Sequence, residues 1–243
     1  MLFNSMGGSG AAKDADGWPM IGTIAGMGGL TSASVEEVEL LYPMRIDFNE
    51  IETDSAGAGQ WIGGVGTRTR YRPIAGEMEA VGFGEGSRNP PHGVNGGHMS
   101  PGGGIYIEHE DGLRTYVSVA GQTLVRAGES WTGYSSGGGG WGSPLDRDAE
   151  IVRENLRDGW ISEESARDVF GVICRDDFER TLDAEATVKR REELRAQSRG
   201  IIDPVIPGAG TWITRNMREG DRYIEAPTIA EHFSDDSTGS SEN

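Results

Sequence analysis

Glycine is the residue that most constrains how this chain can fold. The 243 residues include 39 glycines, about twice the usual share. They cluster in short runs instead of recurring at every third position, which excludes a collagen triple helix. Because glycine tolerates tight turns and lets backbones approach closely, this excess favours a β-rich sandwich or barrel-like core of short strands.

The charge and cysteine content narrow the possible partners and compartment. The formal charge of −17 argues against binding to nucleic acid or to an anionic membrane surface. The single cysteine, Cys174, cannot form an internal disulfide, and the first residues lack the pattern of a secretory signal. No apolar stretch approaches the roughly 20 residues that cross a bilayer. We therefore expect a cytoplasmic protein.

Alternating, turn-rich segments predict strands in the first part of the chain. Those segments are residues 68–72, 78–83, 104–109, 113–119 and 124–131. Asp111 and Gly112 stand between two of them and predict a tight hairpin with a type I′ turn. Residues 1–34 have little periodicity and predict irregular chain. We expect residues 1–145 to form one Gly-rich, β-dominated region.

Helical periodicity begins after that region. It predicts helices over residues 146–157, from an N-cap at Ser162 to residue 170, and over residues 183–198. The expected fold is thus α+β, with a helical region at 146–200 behind the β-rich core. Residues 201–243 are predicted to be an extended tail that is disordered or binds a partner.

The glycine run at 137–142 has the spacing of a dinucleotide-binding fingerprint, but its context differs. Helical pattern starts only after the glycines, and the alternation of strands and helices that such a site needs is missing. The sequence also has no Gly-Lys-Ser/Thr, and hence no P-loop. We interpret the run as a structural loop where backbones pack closely, and expect no nucleotide on this chain.

Four polar residues in loops are candidates for contacting a substrate or a partner. Asp54 and Ser55 open a run of small residues, where their side chains could bind a ligand or cap a turn. His92 and Asn95 lie in a Gly-rich turn that ends at His98. No further ligand completes a metal-binding pattern around these histidines, so the turn is favoured and no metal is assigned.

Arg70 is the fifth candidate. It lies on one face of a predicted strand with Arg68 and Arg72. In an acidic chain, such arginines are expected to pair with nearby carboxylates more often than to bind phosphate. No residue has a recognisable catalytic pattern, so the residues alone assign no active site.

Several of these stretches, in this order, resemble the C-terminal half of the hydantoinase B/5-oxoprolinase family. The resemblance rests on residues 6–11, 16–17, 34–43, 54–66, 91–97, 136–148 and 159–172, and covers about residues 1–200. It implies a subunit of an ATP-dependent complex that phosphorylates a lactam or imide oxygen and then opens the small cyclic amide with water. ATP and a divalent metal would be held by partner subunits.

The resemblance also implies which partners are needed. The ATP site would belong to a hydantoinase A-type subunit, and the family's metal-binding His and Asp residues to its N-terminal half. We therefore expect that half to be a separate subunit, and this chain to be inactive alone. Two alternatives stay open: a subunit of an ATP-dependent ketone carboxylase, and a non-catalytic structural β-module.

Overall fold

The computed structural model describes residues 6–21, 33–82, 86, 89–117, 121–197 and 216–224. The fold is α+β with a β-rich core, which confirms the predicted class. Within the described ranges, strands β1 to β8 span Met44–Ile51, Thr67–Pro73, Glu77–Gly82, Gly104–Glu108, Arg114–Val117, Gly121–Arg126, Ser130–Tyr134 and Arg222–Ile224. Helices α1 to α4 span Val35–Leu41, Ala149–Arg157, Glu163–Asp168 and Ala184–Gln197.

The strands form two open sheets. The larger sheet has six strands in the order β1-β2-β7-β4-β5-β8, and its neighbours are antiparallel except for the parallel pair β5–β8. Strands β3 and β6 form a separate antiparallel pair. Alternation along the strands determines which face each side chain occupies. In β2, Thr69 and Tyr71 are buried on one face while Arg70 points to the other.

An apolar cluster joins the two sheets and the first helix. Tyr71, Ile105 and Trp131 of the larger sheet pack in one cluster with Val38 of α1 and Val125 of β6. Val38 is 1% exposed and Val125 is fully buried. Removing this apolar area from water holds α1 and the β3–β6 pair in the same core as the sheet.

The glycine runs pack backbone against backbone. The N–H of Gly138 donates to the Gly64 carbonyl oxygen (2.9 Å), and the N–H of Gly57 donates to the Gly138 carbonyl oxygen (2.8 Å). A Cβ atom added to Gly138 would lie 1.8 Å from the carbonyl oxygen of Ser9. Only glycine fits at such a distance, so the structural interpretation of the 137–142 run is confirmed.

A second core lies between the helices and the segment that precedes β2. Ile62 packs there with Val152 of α2, Ala166 of α3, and Phe170. The Oγ atom of Ser162 accepts a hydrogen bond from the Ser165 N–H (3.1 Å), as its predicted N-cap role requires. This core fixes α3 against the glycine-rich region.

Two local predictions were wrong. The predicted strand at 124–131 is two strands, because the chain turns between β6 and β7 at Gly128, whose φ is +95°. The β4–β5 hairpin forms as expected, but not with a type I′ turn: the N–H of Gly112 donates to the His109 carbonyl oxygen (2.9 Å), so the central residues are Glu110 and Asp111, and neither has a positive φ. The side chain of Asp111 instead accepts a hydrogen bond from the Leu113 N–H.

Part of the predicted tail is ordered against the sheet. Residues 216–224 supply β8, and the Tyr116 hydroxyl donates to the Asn216 carbonyl oxygen (2.9 Å). The predicted strand ends at residues 83 and 118–119, the helix end at residue 198, and the tail segments 201–215 and 225–243 lie outside the described residues. Among the described residues, no helix is long and apolar enough to cross a bilayer.

Candidate functional site

A buried arginine fixes the segment that forms the floor of the site. Arg147 is 1% exposed. Its guanidinium binds the Asp16 carboxylate with two hydrogen bonds of 2.8 and 2.7 Å, and donates to the Gln60 carbonyl oxygen and to Asn155 Oδ1, both at 3.0 Å. Asp16 in turn accepts the Ile62 N–H (2.8 Å). These bonds hold residues 60–62 to the helical region.

A cleft of about 350 Å³ opens between this floor and α3. Three stretches of chain line it: residues 54–62, residues 90–101 and residues 160–170. Its lining is mostly apolar, with a few polar side chains, which is the usual composition of a small-molecule site. The polar lining residues are Asp54, His98, Ser100 and Ser165, and the larger apolar ones are Ile62, Met99, Trp160, Ile161, Val169 and Phe170.

Asp54 is held rigidly at one wall of the cleft. Its N–H donates to the Trp160 carbonyl oxygen (3.0 Å), and its Oδ1 accepts the Ser162 N–H (3.0 Å). Its φ is +57°, in the left-handed region that Asp and Asn tolerate better than most residues. Both hydrogen bonds connect the start of α3 to the small-residue run, so they place the carboxylate and Trp160 together.

Ser100 is the buried polar residue of the cleft. It is 1% exposed, and its N–H donates to the Pro91 carbonyl oxygen (3.0 Å). Its hydroxyl has no hydrogen-bond partner among the described residues. A buried hydroxyl without a partner is rare, because its desolvation is not compensated. The same oxygen exposes almost no surface, so a ligand could bind it only after the Ser100 side chain rotates toward the cleft.

The other predicted candidates lie elsewhere or have structural roles. Ser55 is buried; its hydroxyl donates to the Glu52 carbonyl oxygen (2.6 Å) and accepts the Gly66 N–H (2.8 Å), as a turn residue does. His92 and Asn95 are exposed and do not line the cleft. Of the four loop candidates, only Asp54 lines it.

Arg70 belongs to the opposite, polar face of the larger sheet. Its guanidinium donates to Tyr106 Oη (2.8 Å) and Thr132 Oγ1 (3.0 Å), and lies 3.7 Å from Glu108 Oε1. It also lies over the Phe48 ring, at 5.2 Å from the centroid. The predicted pairing with a nearby carboxylate is confirmed.

Of the residues that line the cleft, sequence reasoning selected only Asp54 as a candidate, and those it missed include Ser100, Trp160 and Phe170. Ser100 carries no motif, and the two aromatic residues look like ordinary core positions around a short helix. His98 was noticed only as the end of a turn. Among the described residues, no three His, Cys, Asp or Glu side chains are grouped so as to hold a metal ion, and we derive no chemistry from a metal here.

Comparisons with known proteins agree on the family. The profile of Hydantoinase B/oxoprolinase matches residues 1–144, more than half of the chain. The chain belongs to the hydantoinase B/oxoprolinase family. The resemblance inferred from the glycine-rich segments is thereby confirmed.

The relatives that this chain matches are much longer than it is. The chain is 36% identical over 195 residues to caprolactamase subunit beta of Pseudomonas jessenii, a match covering 79% of this chain and 33% of that one. The structure of the ATP-dependent caprolactamase from the same organism superposes with a TM-score of 0.65 at 32% identity, over 77% of this chain and 33% of that one. A nucleotide-free acetone carboxylase shares the fold, with a TM-score of 0.69 at 20% identity, over 83% and 31%. The chain thus spans about a third of these relatives.

Proposed function

We propose that this chain is one subunit of an ATP-dependent complex that opens phosphate-activated cyclic amides. The observation that carries the proposal is its 36% identity, over 79% of its length, to the beta subunit of a caprolactamase. That relative is a subunit of an ATP-dependent enzyme. The structure contributes a cleft of about 350 Å³ with polar and apolar walls, which can hold a small molecule.

The proposed reaction needs more than this chain. The γ-phosphoryl group of ATP is transferred to the lactam or imide oxygen, and ADP leaves. Water then adds to the activated carbon, the ring C–N bond breaks with its nitrogen taking a proton, and the ring-opened acid and phosphate are released. The sequence has no P-loop, and the described residues contain no metal-binding cluster. As the family resemblance implies, we assign ATP to a hydantoinase A-type partner, and the divalent metal to a second partner with the N-terminal half of the family fold.

Reconstitution tests this proposal. The chain is purified alone and together with those two partner subunits, and amide-dependent ADP release and ring opening are measured. We expect turnover only from the assembled complex, and no requirement for bicarbonate. Full ring-opening activity from the lone chain would contradict the need for partners. Turnover that consumes bicarbonate and a ketone would replace the hydrolase with the carboxylase alternative.

Substitutions in the same complex separate a catalytic subunit from a structural module. Asp54→Asn, His92→Ala and Arg70→Ala are compared for assembly by gel filtration and for turnover. If Asp54→Asn lowers turnover in a complex that still assembles, the chain contributes to the chemistry. Unchanged turnover in all three variants would support a structural β-module.

A further inference from the structure

Three segments of this chain line the cleft between residues 54–62 and α3. Its walls come from the small-residue run, from residues 90–101 and from the start and end of α3. The Asp54 bonds to Trp160 and Ser162, together with the apolar contacts of Ile62, Ala166 and Phe170, hold these walls in place. The cleft therefore presents polar and apolar groups in fixed positions to a ligand.

Two of the four polar lining residues, Asp54 and Ser100, would bind different groups of a ligand. The Ser100 hydroxyl is buried without a partner among the described residues, so it can donate to an acceptor on a ligand once its side chain rotates toward the cleft. Asp54 uses Oδ1 for the Ser162 N–H. An ionised carboxylate has about four acceptor sites and no donor, so Asp54 retains the capacity to accept an N–H from a ligand.

The remaining walls limit the size and polarity of that ligand. Trp160, Val169 and Phe170 present apolar surface, and the volume of about 350 Å³ is near the lower end of small-molecule sites. The arrangement suits a compact ring with methylene groups against the apolar wall. An amide within the ring offers an N–H and a carbonyl oxygen close together. A ketone offers only the carbonyl oxygen, so the ligand would supply no N–H donor to the Asp54 carboxylate.

We infer that this cleft is a substrate-recognition subsite in which Asp54 selects cyclic amides over ketones through the ring N–H, while Ser100 binds the carbonyl oxygen. The inference rests on the proposed function, since it names the part of this subunit that recognises the substrate. It assigns Asp54 as a specificity-determining residue. If the inference holds, the Asp54 carboxylate distinguishes an amide-opening subunit from a ketone-carboxylating one, and substitution of this one side chain tests it.

Binding to the purified chain is the direct test. Isothermal titration is carried out with a seven-membered lactam, its N-methyl derivative and the cyclic ketone of the same ring size. We expect the unsubstituted lactam to bind about tenfold more tightly than either analogue, because one hydrogen bond to a charged acceptor is lost in both. Equal affinity for the three ligands, or no binding of the lactam, would overturn the inference.

Two variants and a matched control assign the effect to the cleft. Asp54→Asn keeps an acceptor for the Ser162 N–H and tolerates a positive φ, but replaces the other carboxylate oxygen by an N–H₂ donor. It is expected to weaken lactam binding about tenfold and to abolish the preference over the ketone. Ser100→Ala should weaken lactam and ketone alike. Asp176→Asn, at a side chain that is 99% exposed and outside the cleft, should change neither.

These experiments show separately whether the recognition inference fails and whether the proposed function fails. Circular dichroism of each variant first shows that it is folded. If the lactam binds as expected but the reconstituted complex does not turn over, the recognition subsite stands and the proposed activity fails. If the complex opens amides with the same KM and kcat in wild type and Asp54→Asn, the activity stands and the inference fails.

Discussion

Arg147 shows how one side chain can connect distant parts of this fold. Its guanidinium is buried, yet it makes four hydrogen bonds to three regions: Asp16, Gln60 and Asn155. Burying a charge is costly, and the cost is offset only while the partners remain in place. The Nε atom of Arg147 is also buried, without a partner among the described residues. The arginine is therefore more important for holding the cleft floor in place than for net stability.

Removing this guanidinium should destabilise the chain strongly. Arg147→Ala opens a cavity and leaves the Gln60 carbonyl oxygen and Asn155 Oδ1 without their donor, while the Asp16 carboxylate is 36% exposed and can be hydrated. We therefore expect a loss of about 2–4 kcal/mol in the free energy of unfolding. Urea denaturation followed by tryptophan fluorescence measures it. Arg157→Ala is the control, because Arg157 pairs with Asp158 at the exposed surface and should hardly move the midpoint. Similar midpoint shifts in both variants would refute the role given to Arg147.

The glycine-rich segments act as a structural element of their own, although they form no regular sheet. Residues 7–10, 57–66 and 137–142 interlock through backbone hydrogen bonds, and added Cβ atoms would overlap neighbouring backbone at several positions. Gly63 is an example: its added Cβ would lie 1.9 Å from the Gly138 carbonyl oxygen. Backbone atoms cannot move aside as a flexible side chain can, so these positions exclude every other residue.

Two glycines of this element offer a matched comparison. Gly138→Ala places a methyl group 1.8 Å from the Ser9 carbonyl oxygen, and should cost about 3 kcal/mol or more in unfolding free energy through overpacking. Gly10→Ala meets its nearest atom at 3.9 Å, with no positive φ, and should be neutral or slightly stabilising. Thermal unfolding by circular dichroism compares them. Equal melting temperatures would mean that the close backbone contacts are not rigid.

Strand β8 is attached to the sheet partly through one carboxylate. Asp221 accepts the N–H groups of Arg114 (3.1 Å) and Arg218 (2.8 Å). Burial alone would raise the pKa of the Asp221 carboxyl, but these hydrogen bonds and the two positive charges outweigh it, so the pKa is lowered. The ionised form therefore stabilises the folded state. Its contribution is complete above the unfolded-state pKa, near 4, and is lost as the pH falls through the lower folded-state pKa.

This dependence can be isolated with a neutral variant. Asp221→Asn should lower the urea midpoint relative to wild type at pH 6, and the difference should shrink as the pH is lowered below about 4. Measuring both midpoints between pH 6 and pH 2 tests it. A difference that stays constant across this range, or grows in acid, would contradict the sign of the pKa shift.

The local structure could be predicted from the sequence because its causes are local. Ser162 caps α3 as expected, and the hairpin at Gly112 forms between β4 and β5. The cleft could not be predicted from the sequence, because Asp54, Ser100 and Trp160 come together only through contacts between distant segments. Arg147 was missed for a similar reason: in sequence, an arginine that precedes a helix looks like a surface residue.

At the scale of the whole molecule, the chain combines a cleft with a fold that spans about a third of the length of its relatives. Asp54, Ser100 and the apolar groups that line the cleft belong to this chain. The nucleotide and metal chemistry, in our proposal, is supplied by partners. Recognition and activation would then belong to different polypeptides, and each could be varied without rebuilding the other.

The interlocked glycine region also affects how the chain folds. Gly138 makes close contacts with Ser9 and Gly64, which lie far from it in sequence, so little of this region can form before most of the chain is present. Ordering glycine also costs more backbone entropy than ordering any other residue, and that cost precedes the gain from the hydrogen bonds. Chains dominated by such distant contacts fold slowly. The region should therefore assemble later than local elements such as the β4–β5 hairpin.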